Sequence, residues 1–433
     1  MAHGNNPRQS SLVPFPRAFA VFGYTVFVLV AICVLLECGF GFARYLKGQY
    51  RFKKSGLQGH CRGLGGGQCK GSYDDYYIDA ISSSPAFDSY PWAEDFWRDE
   101  RHHDQFPMVY SPFLLWKPAE FHSQYVNIDR DGWFSWRRTI QPEACLSSPR
   151  KTTVWMFGGS AVHGVGAPDF ATIPSYLAAV LTRKAGECVE VKNFGIDGYV
   201  GNQEIIALME LLQSGRKPDI VVFYDGYNDV YAGVYSSGIP EAHFDFVPIK
   251  RKLESSGAPL HDLMENSYTV RGLRALLRAT GGLRSDHLLS VDAHDRVVSV
   301  ELTDEVLAKR TTAALDHYER NLEIVRRLGG QYGFTAYCFW QPASRYGNKP
   351  FVAYERQALA DPEVLDPNMR SPVMLAYREA ERRSPSGGFI FLGRIFDEEA
   401  GPIYLDDVHL GPRGNQLIAE AIAASILRPR PKP

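Results

Sequence analysis

From Lys151 onward the chain alternates short apolar runs with helical patterns, and a chain built this way folds as βαβ units around a parallel sheet. The expected strands are Thr153–Phe157, Cys188–Phe194, Asp219–Tyr224, Phe334–Trp340 and Phe389–Leu392. A helix is expected over Ile173–Ala185. Thr172 can cap it, Pro174 suits its first turn and Gly186 its end, and Leu177, Val180 and Leu181 share one face. Further helices are expected over Gln203–Ser214, Asp304–Leu328 and Gly414–Leu427. Residues 231–300 break the alternation, and long insertions into α/β domains tend to be lids or substrate-binding caps.

Four segments stand at or just after the C-terminal ends of expected strands, where open α/β sheets place their ligand sites. They are Phe157-Gly158-Gly159-Ser160, Asn193-Phe194-Gly195-Ile196-Asp197-Gly198, Asp225-Gly226-Tyr227-Asn228-Asp229 and Asp406-Asp407-Val408-His409. Singly each is weak. Together they supply a serine at a strand-to-helix turn, an Asp-x-x-His able to activate it, and glycine and asparagine donors for an oxyanion, which are the parts of serine acyl transfer. No Lys-Ser/Thr pair follows GGSAVHGVG, so this is no phosphate-binding loop.

In order and context the four segments resemble the blocks of the SGNH hydrolase superfamily, the GDSL lipases and esterases, across residues 150–430. The resemblance implies a flavodoxin-like three-layer α/β/α sandwich with a five-stranded parallel sheet. It implies Ser160 as nucleophile, His409 as general base and Asp406 as the residue orienting the imidazole, with Asp407 the neighbouring alternative. The oxyanion hole would combine the backbone N–H of Ser160, that of Gly198 and the side-chain amide of Asn228, with Gly195 the alternative to Gly198. No metal or cofactor is implied. One departure stands out: the aspartate usual before the serine is Gly159 here. His163, three residues after Ser160, is a competing base, expected to line the turn or cleft. Tyr227 and Asp229 are expected to fix the loop that carries Asn228.

After an N-terminal tail of residues 1–17, Ala18–Leu36 runs without a charge. At about 1.5 Å per residue it spans roughly 28 Å, near the hydrocarbon thickness of a bilayer. It is too long for the apolar core of a cleaved signal peptide. A transmembrane anchor is therefore expected over residues 18–43, with the lipid bilayer as its partner. Residues 44–149 show no strong periodicity and read as an irregular, aromatic-rich membrane-proximal region. Within it, Gly65–Gly67 has no strand before it and no helix after it, so it is no dinucleotide fingerprint. The His102-His103-Asp104 cluster reads as an exposed turn rather than a metal site.

Two Arg precede the anchor and five Lys or Arg follow it, which by the positive-inside rule favours a cytoplasmic C-terminal domain. Against this, Cys61 and Cys69 enclose a short glycine-rich loop able to close as a disulfide, a bond rare in the cytosol. The catalytic domain is therefore expected outside the cytoplasm. A hydrophobic fraction of 45% leaves ample core material, and 47 Lys plus Arg against 49 Asp plus Glu give no basic footprint for nucleic acid. The expected activity is a membrane-anchored serine esterase or O-acyltransferase acting on an ester of a carbohydrate or other envelope substrate. The alternatives are a lipase or phospholipase, with residues 231–300 as lid, and a non-catalytic subunit that keeps the fold.

Overall fold

Strand Thr152–Gly158 alternates its side chains between two apolar layers: Trp155 and Phe157 enter one, Val154 and Met156 the other. Burial on both faces is what a central parallel strand requires, and it explains the nearly continuous apolar run. In the computed structural model, which describes residues 24, 28, 73–102, 108–145, 147–255, 302–361 and 366–428, this strand sits inside an eight-stranded mixed sheet.

Helices α1 (Tyr73–Ser82) and α2 (Ala93–His102) come first, then the separate hairpin β1 (Met108–Ser111) and β2 (Leu115–Pro118). The short strands β3 (Phe121–His122), β4 (Asn127–Asp131) and β5 (Phe134–Arg137) follow, before β6 (Thr152–Gly158). Next are α3 (Ser160–His163), α4 (Ile173–Ala185), β7 (Val189–Gly195), α5 (Gly201–Gln213) and β8 (Ile220–Asp225). The last are α6 (Asp304–Tyr332), β9 (Thr335–Trp340), α7 (Arg370–Gly387), β10 (Ile390–Phe391) and α8 (Pro412–Leu427).

The sheet order is β10-β9-β8-β6-β7-β5-β4-β3. Its parallel part reads 2-1-3-4-5 in strand order, the flavodoxin-like winding, with the switch point between β6 and β8. α5, α6 and α7 cover one face; α4 and α8 cover the other. The five expected strands are the five parallel ones, and α4 has the expected bounds, with Thr172 Oγ1 accepting from Ser175 N at 3.3 Å and Gly186 in the left-handed conformation. α6 ends only at Gly333, its left-handed cap, five residues beyond the expected Leu328.

Three expectations need correction. The sheet has eight strands because β5, β4 and β3 extend it antiparallel from the edge strand β7, with Arg137 opposite Asn193. The segment 44–149 is therefore ordered structure where it is described. Its strands are two to five residues long and rich in charge, too short for a period to register, but Asp131-Gly132 with Gly132 at φ 61° is a recognisable hairpin turn. His102 closes helix α2 rather than standing in a turn, while His103 and Asp104 lie outside the described residues.

Secondly, residues 230–236 are core, not lid. This π-helical turn buries Val230, Tyr231, Val234 and Tyr235, and Tyr231 stacks on Phe244 at 4.3 Å. A further helix covers Phe246–Ser255, and residues 256–301 lie outside the described set. Thirdly, helix α7 was not anticipated, because Pro372 and Pro385 interrupt its pattern. Its buried Val373, Ala376, Tyr377 and Ala380 nonetheless keep the i, i+3, i+4, i+7 stripe of a packed helix.

Cys145 is bonded to Cys188, joining the chain after β5 to the residue before β7 across 43 positions. Closing a loop of that length stabilises by about 4 kcal/mol in the chain-entropy account. The expected pair Cys61–Cys69 and the expected anchor over 18–43 lie outside the described residues, apart from Tyr24 and Val28. Among the described residues no helix is long and apolar enough to cross a membrane.

Candidate active site

Strand β6 ends at Gly158, the chain turns at the extended Gly159, and Ser160 opens the four-residue helix α3. A Cβ on residue 159 would meet the Asn228 side-chain amide, so a larger residue here would shift that donor.

Ser160 Oγ lies 2.7 Å from His409 Nε2, and His409 Nδ1 lies 2.6 Å from Asp406 Oδ2. With Nδ1–H donating to the carboxylate, Nε2 is left to accept the serine proton. Asp406 Oδ1 accepts from the backbone N–H groups of Val408 and His409, each at 2.8 Å, so the carboxylate is fixed by its own loop. That loop is closed by the Tyr404–Leu410 bridge and the Leu405 N to His409 O bond at 2.9 Å. The buried Glu355 accepts from Ile403 N and Tyr404 N at 2.9 Å and is itself paired with Lys349 at 2.8 Å. Burial works against a charged imidazole at His409, but Asp406, by charge and hydrogen bond, with Asp197 and Asp407 beyond it, holds the pKa above the ordinary 6.5.

The neighbouring candidates are engaged elsewhere. Asp407 takes Arg345 Nε at 2.7 Å, Ser344 Oγ at 3.0 Å and the Tyr227 hydroxyl at 2.7 Å. His163 is buried and pairs with Asp197 at 3.1 Å. Burial pushes the Asp197 carboxyl up, yet His163, His409 and Arg137 together hold it below its usual value.

Gly195 N–H is spent on Asn193 Oδ1 at 2.9 Å, whereas Gly198 N–H has no protein acceptor among the described residues. Asn228 donates one amide hydrogen to Tyr199 O at 2.8 Å, and Asp229 accepts from Gly201 N at 3.1 Å, anchoring the loop on helix α5. Beneath that loop the buried carboxyls of Glu204 and Asp225 lie with that of the partly buried Asp229. Burial raises Asp225 to about 7 and Asp229 to about 6, and lifts Glu204 well above the ordinary range, so this packing carries less charge than its composition suggests.

Two side chains that sequence reasoning missed hold these parts from the β1–β5 region. Arg137, on β5, is 2% exposed and donates from Nη1 to His163 O at 3.1 Å and Gly164 O at 2.8 Å, from Nη2 to Ala167 O at 2.5 Å, and from Nε to Asp169 Oδ1 at 3.0 Å. It thereby satisfies the C-terminal carbonyls of the serine helix. Trp116, on β2, donates its indole N–H to Asp197 O at 2.9 Å. Neither residue sits in a motif, and neither gives a signal in the sequence.

The serine, the glycine with its uncommitted N–H, the asparagine and the histidine thus gather on adjoining loops at the sheet's switch point. This is the geometry of a serine–histidine–aspartate triad beside an oxyanion pocket. Among solved structures the chain is similar to an acetylxylan esterase from Geobacillus stearothermophilus, at 15% identity over 64% of this chain and 95% of that one, with a TM-score of 0.32. It is also similar to a member of the lipolytic protein G-D-S-L family from Veillonella parvula, at 10% identity over 64% of this chain and 98% of that one, with a TM-score of 0.31. No family profile and no curated protein matches the chain. At such scores the likeness carries no weight, and the catalytic reading rests on the hydrogen-bonded line through Ser160, His409 and Asp406.

Proposed function

We propose that the protein is a membrane-anchored serine ester hydrolase or O-acyltransferase, working through an acyl-Ser160 intermediate on an ester of a carbohydrate or other envelope substrate. The observation that carries the chemistry is the Ser160–His409–Asp406 line at 2.7 and 2.6 Å. Ser160 Oγ attacks the ester carbonyl while His409 Nε2 takes its proton, and Asp406 stabilises the imidazolium. The oxyanion accepts from Ser160 N–H, Gly198 N–H and the second amide hydrogen of Asn228. Collapse expels the alkoxide, which receives the proton from His409. Water or an acceptor hydroxyl then attacks the acyl-serine, giving its proton to His409, and Ser160 is regenerated. The same site serves hydrolysis and transfer, so the acceptor alone separates them.

The test is reaction of the full chain with a fluorophosphonate, with the adduct mapped by mass spectrometry. A modification on Ser160 is expected, and a protein that stays unlabelled while still folded would remove the proposal. Adding a sugar acceptor to a p-nitrophenyl acetate assay then separates transfer from hydrolysis by product analysis.

The pH profile follows from His409. The base must be neutral to accept the serine proton, and its pKa is raised, so kcat/KM falls as pH drops through a midpoint above 6.5. A midpoint at or below 6.5 would contradict the Asp406 pairing.

We place the catalytic domain outside the cytoplasm. The Cys145–Cys188 bond supports this, since disulfides persist in oxidising compartments. The uncharged run Ala18–Leu36 supports the anchor. C-terminal reporter fusions active on one side of the membrane only would decide it, and a cytoplasmic signal would reverse the placement.

A further inference from the structure

The β1–β2 hairpin lies against the loop Ile196–Tyr199 through two hydrogen bonds and against the start of helix α5 through a third. Trp116 Nε1 donates to Asp197 O at 2.9 Å, Gln203 Nε2 donates to Leu114 O at 2.8 Å, and the Tyr199 hydroxyl donates to Trp116 O. The Trp116 ring meets Tyr199 edge-on at 5.8 Å, and Leu114 is buried with Ile196 and Tyr199. The hairpin tip holds this position with Phe113 at φ 63° and Leu115 at φ 72°, a left-handed conformation that non-glycine residues avoid.

The loop itself is a tight turn. Tyr199 N donates to Ile196 O at 3.1 Å, and Gly198 in the third position has φ 74°, the signature of a type II turn. The alternative type I turn over the same four residues differs by rotating the central peptide, Asp197–Gly198, by roughly 150–170°. A trans peptide is planar, with its C=O and N–H directed oppositely. Whatever holds the Asp197 carbonyl therefore sets the direction in which the Gly198 N–H is offered. The group that holds it is the Trp116 indole. Tyr199, whose hydroxyl donates to the backbone carbonyl of the same residue, also accepts from the Asn228 amide through its own carbonyl at 2.8 Å, so both outer donors refer back to the strand position of residue 116.

We propose that Trp116 is a positioning residue of the oxyanion hole, locking the Asp197–Gly198 peptide so that the Gly198 N–H faces the reacting carbonyl. This rests on the reading of Ser160 as nucleophile and Gly198 as donor. In this role Trp116 acts through the Asp197 carbonyl. Its effect is on charge developed in the transition state, so it acts on kcat rather than on KM.

The experiment is steady-state turnover of p-nitrophenyl acetate by the full chain, as wild type, Trp116→Phe and Gln203→Met. Trp116→Phe removes the indole donor and keeps an aromatic ring. It is expected to lower kcat by about tenfold, below the 10²–10³ of losing an oxyanion donor outright, with KM held within about twofold. The acid limb of the pH profile, which belongs to His409, stays where it is. Gln203→Met loosens the hairpin without touching the Asp197 peptide and should leave kcat unchanged. An unchanged kcat for a folded Trp116→Phe overturns the inference alone, as does an equal loss in Gln203→Met. Should Trp116→Phe fail to fold, Trp116→Tyr, which also lacks a donor at the indole position, must show the same loss confined to kcat. A wild-type protein that turns over no ester overturns the proposed function and this inference with it.

Discussion

Replacing Ser160 by alanine is expected to leave a folded protein whose kcat for ester turnover has fallen by on the order of 10⁶, with fluorophosphonate uptake abolished. The size follows from the way the three side chains act as one unit. With Oγ gone, His409 has no proton to take and Asp406 no imidazolium to stabilise, so only binding and the oxyanion donors remain. Among the described residues the Ser160 hydroxyl bonds His409 alone, so its loss disturbs no packing. Thermal melts of the variant and the wild type should coincide. Turnover by the alanine variant within tenfold of wild type would place the chemistry elsewhere in the molecule.

Replacing Arg137 by methionine should destabilise the fold by about 3–5 kcal/mol, measured as the midpoint shift in denaturant at constant slope. The side chain is 2% exposed, and its removal strands the buried Asp169 carboxylate together with the carbonyls of His163, Gly164 and Ala167. Asp169 keeps only its bonds from Asn127, at 3.3 Å from the backbone N and 2.8 Å from Nδ2. Most of the loss is the desolvation of an unpaired charge, so adding Asp169→Asn should cost less than the sum of the two single changes. Additive effects would mean that the pair is not coupled as its geometry requires. Because Arg137 holds the end of the serine helix, the surviving folded fraction should also turn over ester more slowly.

Arg137 shows where sequence reading stops. In the sequence it is one of two adjacent arginines in a segment without a period, and charged residues are almost never fully buried unless paired. Its partners are His163 to Asp169, twenty-six to thirty-two positions away, and nothing local to Arg137 points at them. Trp116 is 81 positions from the Asp197 carbonyl it holds. Cys145 and Cys188 illustrate the same limit. Their bond needs β5 and β7 already adjacent, and nothing local to either cysteine points at the other.

What was legible was local. Five parallel strands, the helices α4, α5, α6 and α8, and the serine, histidine and asparagine loops at the strand ends all follow from apolar periods and from turn residues a few positions apart. The strand-to-helix turn at Gly159-Ser160 and the three-residue spacing of Asp406 and His409 are short-range geometry, and short-range geometry is written in consecutive residues. The tertiary structure alone decided which glycine N–H stays uncommitted, which of two adjacent aspartates faces the imidazole, and which distant side chains hold the loops in place. Those choices depend on which groups are brought together and cut off from water, and burial is a property of the assembled chain, not of any window within it.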